Sequence, residues 1–241
     1  MTRRRWIADE VSAKRAALTG EHAHHLVRVL RARLGQEFDI VADGVVHRAR
    51  VDKVSENRVE FELGGQIPGA SPAPVTMLLS IFKFDRMEWA IEKCTELGVA
   101  KIVPMIARRT DAHLAAASVK RVERWRRIAV QASEQSRRAG PPEIPPPIPL
   151  EDVLRIPGAF RIVLAESETY SMLRELVASN SSQEVVLAVG PEGGWTSEEL
   201  DTFHREGWAP ASLGPTILRA ETAAIVAAAV TVLELNGVSF D

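Results

Sequence analysis

With 241 residues, 46% hydrophobic and 26% charged, the chain has the composition of a soluble globular protein, either one large domain or a small and a medium one. Its single cysteine, Cys94, excludes a disulfide framework and a cysteine-built zinc site. No apolar run follows the N-terminal arginines, and the longest apolar run, residues 223–233, falls short of a bilayer span; the expectation is a cytoplasmic protein with no membrane partner. The net charge of −2 hides an asymmetry: residues 1–140 carry 25 Lys/Arg against 17 Asp/Glu, and residues 141–241 carry 5 against 15. Residues 1–35 and 118–140 each net +5. A docked polyanion and a solvated basic face explain such patches equally well.

In chain order, a helix is predicted over 21–33, with Thr19 as its cap and Gly35 as its stop. Strands follow at 38–42, 45–54 and 57–63, the first two joined by the hairpin turn Asp43-Gly44. Short strands around one helix suggest a small barrel over 1–70. The glycines at 64–65 and the prolines and glycine of 68–74 mark a linker. Beyond it strands and helices alternate: strand 75–82, helix 86–97, strand 99–106, a basic helix 119–138, and the proline-rich stretch 141–149. Then come strand 161–165, helix 171–178, strand 184–189, helix 197–206, a short strand near 211–213 and helix 221–236. This pattern predicts an α/β domain over 75–241 with a largely parallel sheet.

Ligands of such sheets bind in loops at the carboxyl ends of strands. Three of these loops carry unusual residues: one opening with Glu166, one reading Gly190-Pro-Glu-Gly-Gly-Trp195, and one reading Leu213-Gly-Pro-Thr-Ile-Leu-Arg-Ala-Glu-Thr222. The second has neither the lysine of a phosphate loop nor dinucleotide spacing, and Glu192 would repel phosphate. Its glycines permit close approach to main-chain amides, which suits a ligand that is cationic or rich in hydrogen-bonding edges. In the third, Arg219 and Glu221 stand before an almost wholly apolar helix; they are either a capping ion pair or site residues.

These two loops resemble the signature loops of the small-subunit ribosomal RNA uridine-N3 methyltransferases, of the knotted (SPOUT) class. Three further segments match: His24-His-Leu-Val-Arg-Val-Leu-Arg31, Glu92-Lys-Cys-Thr-Glu-Leu-Gly98 and Glu134-Gln-Ser-Arg-Arg138. The similarity covers nearly the whole chain. It implies a PUA-like RNA-binding barrel, a methyltransferase domain whose C-terminal segment threads a deep trefoil knot, and a homodimer. It implies S-adenosylmethionine as methyl donor, held by Leu164, Ala165, Glu166, Gly190, Glu192, Gly193, Gly194, Leu213, Gly214, Ile217, Leu218 and Arg219. It implies small-subunit ribosomal RNA as substrate. Arg137 stands where the family often has glycine, Thr216 where it often has arginine, and Ala220 where threonine is common.

Loss of the N3 proton spreads negative charge onto the flanking carbonyls of uracil, and a fixed arginine stabilises it; Arg219 is the catalytic candidate, weighed against a structural pair with Glu221. Glu192 is a less favoured base than a loop or ligand contact. For RNA the candidates are Arg5 beside Trp6, His24 with Arg28 and Arg31 on one helical face, Arg108, Arg109 and Arg138. The trio His22, His24 and His25 lacks accompanying ligands, so no metal is expected. Cys94 reads as a buried structural thiol, and Trp89 and Trp125 as packing. Alternatives are a related enzyme acting on another RNA, and an RNA-binding protein without catalysis.

Overall fold

The computed structural model describes residues 4–154, 156, 160–180 and 184–237. They form two compact units, Met1–Ser71 with Val130–Pro141, and Pro72–Ala129 with Pro142–Asp241.

The first unit holds strands β1 (Trp6–Ile7), β2 (Glu10–Ser12), β3 (Arg15–Thr19), β4 (Glu37–Ala42), β5 (Val45–Ser55) and β6 (Arg58–Gln66), in the sheet order β1-β4-β5-β6-β3-β2. The segment from Trp6 to Ser12 pairs with β4 at one end of that order and with β3 at the other, so the two sheet edges meet and the unit closes like a barrel. Asp43 and Gly44 both take positive φ, +49° and +77°, as a two-residue hairpin turn demands. The glycines expected to start the linker belong instead to β6. A Cβ at Gly64 would meet the Arg48 carbonyl oxygen at 2.5 Å. The core gathers Trp6, Leu18, Leu26, Ile40, Val51, Val59 and Phe61.

The helix expected over 21–33 is shorter. Helix α1 (Gly20–His24) widens into a π-helical turn, His25–Val29, and Arg31 has left it at φ +52°. Arg28 and Arg31 therefore do not share a helical face. Thr19 holds the cap position without a side-chain cap bond.

The second unit is built on β7 (Ala73–Ser80), β8 (Val99–Ile106), β9 (Ile148–Pro149), β10 (Phe160–Leu164), β11 (Val185–Val189) and β12 (Ala209–Ala211). They form one sheet in the order β12-β10-β11-β7-β8-β9, every pairing parallel. Both faces are covered, which is why its strands read as unbroken apolar runs. In β11, Val185, Leu187 and Val189 face one core, and Val186 and Ala188 the other. The first core packs under α2 (Phe84–Glu96), α4 (Val122–Gln135), α6 (Leu173–Ser179) and α8 (Ala220–Leu235); the second under α5 (Leu150–Val153) and α7 (Ser197–Arg205).

The long helix expected over 119–138 begins earlier and is broken. Asp111 caps α3 (Ala112–Ser118), accepting from the amides of His113 and Leu114, and a tight turn at Val119–Arg121 precedes α4. Arg137, where the resembled family often has glycine, sits at φ +61°, the left-handed region glycine occupies without strain. Cys94 is buried, donates to the Ala224 carbonyl at 3.8 Å, and burial pushes its thiol up to about 12. Trp125 is fully buried while Trp89 is half exposed. Among the described residues no helix is long and apolar enough to cross a membrane.

Candidate active site

The parallel sheet places the loops after β7, β8, β10, β11 and β12 at one edge. Its order turns at β7: β8 and β9 continue to one side, β11, β10 and β12 lie on the other. The crevice between the two sides is where open parallel sheets bind ligands, and the glycine loop after β11 opens beside it.

Trp195 braces that loop. Its indole is buried, and Nε1 donates to the Leu164 carbonyl at 2.8 Å, joining the loops after β10 and β11. A Cβ at Gly190 would stand 3.1 Å from this ring, so any side chain there crowds the indole. Gly194 has φ +68° and donates to Pro191 O at 2.8 Å, closing the turn. Thr196 and Glu199 then form a capping box on α7. Buried Glu199 also accepts from the Arg108 amide at 2.8 Å, and Arg109 Nη1 donates to Gly193 O at 2.8 Å. The loop after β8 is thereby stitched to the glycine loop.

The loop after β10 begins with exposed Glu166 and turns at Glu168, which accepts from the amides of Tyr170 and Ser171; these bonds hold its carboxyl below the usual range. Ser212 N donates to Ser171 O at 2.8 Å, tying the loops after β10 and β12 together. In the loop after β12, Gly214 has φ +130° and Ile217 is 77% exposed. Among the described residues, the main chain of Ile217 and Leu218 makes no hydrogen bond.

Arg219 is exposed at the N-terminal boundary of α8 and, among the described residues, its side chain has no hydrogen bond or ion pair. The pair with Glu221 weighed from the sequence is replaced by another. Arg86, in the first turn of α2, donates from Nη1 to Glu192 at 2.8 Å and stands 3.7 Å from Glu221 through Nε. One guanidinium after β7 thus addresses a carboxylate after β11 and one after β12. Sequence reasoning missed Arg86, although its place just after a strand end was readable.

The RNA candidates divide. His24, Arg28 and Arg31 are exposed on the first unit, His24 and Arg28 lining a groove with Gly20, Val29 and Asn57; Arg28 is paired with Glu56. Arg108 and Arg109 are exposed on the second. Arg5 and Arg138 are only 8% exposed. Arg5 donates to the Pro68 carbonyl at 3.0 Å and to that of Arg137, and burial pushes Arg138 down to about 10. Trp6 lies in the core under His22, His25 and Arg4, and is no stacking surface. Composition shows a charge but not its direction, and here two arginines point inward. Among the described residues no metal-binding cluster occurs.

Residues 70–232 match the family model of the RNA methyltransferase domain, and residues 18–64 that of the RNA methyltransferase PUA domain. The protein named Ribosomal RNA small subunit methyltransferase E of Synechocystis is 33% identical, over 92% of this chain and 74% of its own. Its namesake from Rickettsia conorii is also 33% identical, over 86% and 85%. The crystal structure of that enzyme from Neisseria gonorrhoeae, bound to S-adenosyl methionine, superposes with a TM-score of 0.82 at 30% identity, covering 94% of this chain and 95% of the other. The chain belongs to the ribosomal RNA small subunit methyltransferase E family.

Proposed function

We propose that the protein transfers a methyl group from S-adenosylmethionine to N3 of a uridine in small-subunit ribosomal RNA. The match of residues 70–232 to the RNA methyltransferase domain carries this reading, together with the loops gathered at one sheet edge.

The residues present fit the donor. Glu166 and Glu192 offer carboxylates to a cation, and the unpaired main chain of Ile217 and Leu218 offers donors and acceptors to an adenine edge. The proposed cradle comprises residues 164–166, Gly190, Glu192, Gly193, Gly194, Leu213, Gly214 and residues 217–219. The Leu164 carbonyl is already engaged by Trp195, so its part is to fix the loop. When bound, the donor supplies a sulfonium-activated methyl group. Arg219, cationic and without a partner among the described residues, stabilises the charge that develops on the uracil carbonyls. The target base must stand outside a helical stack to reach these groups.

The first unit is the proposed RNA-binding barrel, with His24, Arg28 and Arg31 on its surface; Arg108 and Arg109 serve from the second. The division at about residue 70, the trefoil knot, a homodimer and a cytoplasmic location belong to the same reading. For the dimer, the support is that α2 and α8 leave Trp89 and Leu233 at 46% and 40% exposure, large apolar surfaces for a second copy to cover.

Titration calorimetry separates an enzyme from an RNA-binding protein without catalysis. Saturable binding of S-adenosylmethionine and of S-adenosylhomocysteine is expected. Absence of binding by either would leave the RNA-binding alternative.

A further inference from the structure

Glu221 opens α8 at 4% exposure, yet its Oε2 has no hydrogen-bond partner among the described residues. Oε1 lies 3.7 Å from Arg86 Nε, an ion-pair distance too long for a hydrogen bond. Buried polar groups are nearly always partnered, because a buried acceptor without a donor forfeits its hydration and gains no bond in return. Among the described residues one other carboxylate is left this way. Asp39, in the first unit, has an orphaned Oδ1, but Arg48 and Arg137 flank it at 3.4 Å each. Glu221 has one distant guanidinium, and that guanidinium is bonded to Glu192 of the glycine loop. The underpaired carboxylate therefore sits among the loops that the proposed reaction uses, two residues after Arg219, as an acceptor without a donor.

Resting on the methyltransferase reading, we infer that the Glu221 carboxylate accepts the N3 proton of the target pyrimidine, and that Arg86 is a positioning residue that orients this carboxylate. The N3–H bond breaks as an O–H bond forms on Glu221. The bonding pair stays on the ring nitrogen, which becomes the nucleophile for the methyl carbon, and the C–S pair leaves with the sulfur. Arg219 and Glu221 then have complementary roles, since the arginine steadies charge on the carbonyls and the glutamate removes the proton whose loss creates it.

The test compares Glu221→Gln with wild type on two RNAs, one with uridine at the target and one with 5-fluorouridine, whose substituent acidifies N3–H. On uridine RNA, kcat is expected to fall about 100-fold, the scale of general-base catalysis, with donor affinity by calorimetry and melting temperature unchanged. On 5-fluorouridine RNA most of that loss is recovered. Arg86→Lys, which keeps the carboxylate and one positive charge, is expected to lose less and to recover in the same way; it carries the test if the Glu221 variant does not fold. Wild-type kcat in Glu221→Gln, a loss that 5-fluorouridine does not restore, or a loss of donor affinity matching the loss of rate each overturns the assignment. If wild type methylates neither RNA, the functional reading falls and takes this inference with it. If wild type methylates and the variant matches it, only the inference falls.

Discussion

Replacing Arg219 by alanine is expected to lower methyl transfer by about 10²-fold, the lower end of the cost of removing one donor from a developing anion. The side chain is exposed and unpaired among the described residues, so little stability depends on it and the melting temperature should hold. The backbone of Arg219 stays at the start of α8, which leaves the fold of the loop intact. Single-turnover transfer to small-subunit RNA, measured beside calorimetric donor affinity, checks this. Normal transfer with normal donor affinity would remove Arg219 from the mechanism.

The second large effect is one of stability. Glu134→Ala should cost about 1–3 kcal/mol, because it leaves half-buried partners without their acceptor. The Glu134 carboxylate is fully buried in the first unit, where it accepts from the Ile7 amide at 3.0 Å and from the Arg4 guanidinium, with His22 Nε2 at 3.6 Å. Removing it leaves the Ile7 amide and a half-buried guanidinium beside an apolar methyl group, and loosens the strand that closes the barrel. Glu134→Gln keeps an acceptor for Ile7 and should cost clearly less. Urea denaturation of both variants measures the difference; equal stability of Glu134→Ala and wild type would mean that the buried carboxylate contributes nothing net.

What the sequence made legible follows from periodicity and turn chemistry. β8 falls on the residues expected for it, and the apolar run of β11 announces a strand covered on both faces. Asp43-Gly44 announces its hairpin because both residues must take positive φ. The three loops could be placed at strand ends from the alternation of strands and helices alone. β1, β2 and β3 are hidden because they are two to five residues long, too short for alternation to show, and β1 and β3 exist by pairing with the distant strands β4 and β6. The cap at Asp111 is readable, but the denser basic run that follows masks it.

The site was legible where it is local and hidden where it is assembled. Gly190, Glu192, Arg219 and Glu221 stand in contiguous motifs. Arg86 lies far from them in the chain and enters only because β7 and β11 are neighbours in the sheet. Orientation was hidden too. Arg5 and Trp6 read as a charge beside a stacking ring, but short-range pattern cannot show that both turn inward. The same residues that resemble an RNA surface in sequence are part of what holds the first unit together.

The measurement closest to the central claim is nucleoside mass spectrometry of small-subunit ribosomal RNA from a strain lacking this gene. Loss of one N3-methyluridine, restored by the wild-type gene and not by Arg219→Ala, is the predicted result. A complete set of methylated uridines in the deletion strain, or loss of a methyl group from another RNA or another ring position, would contradict it.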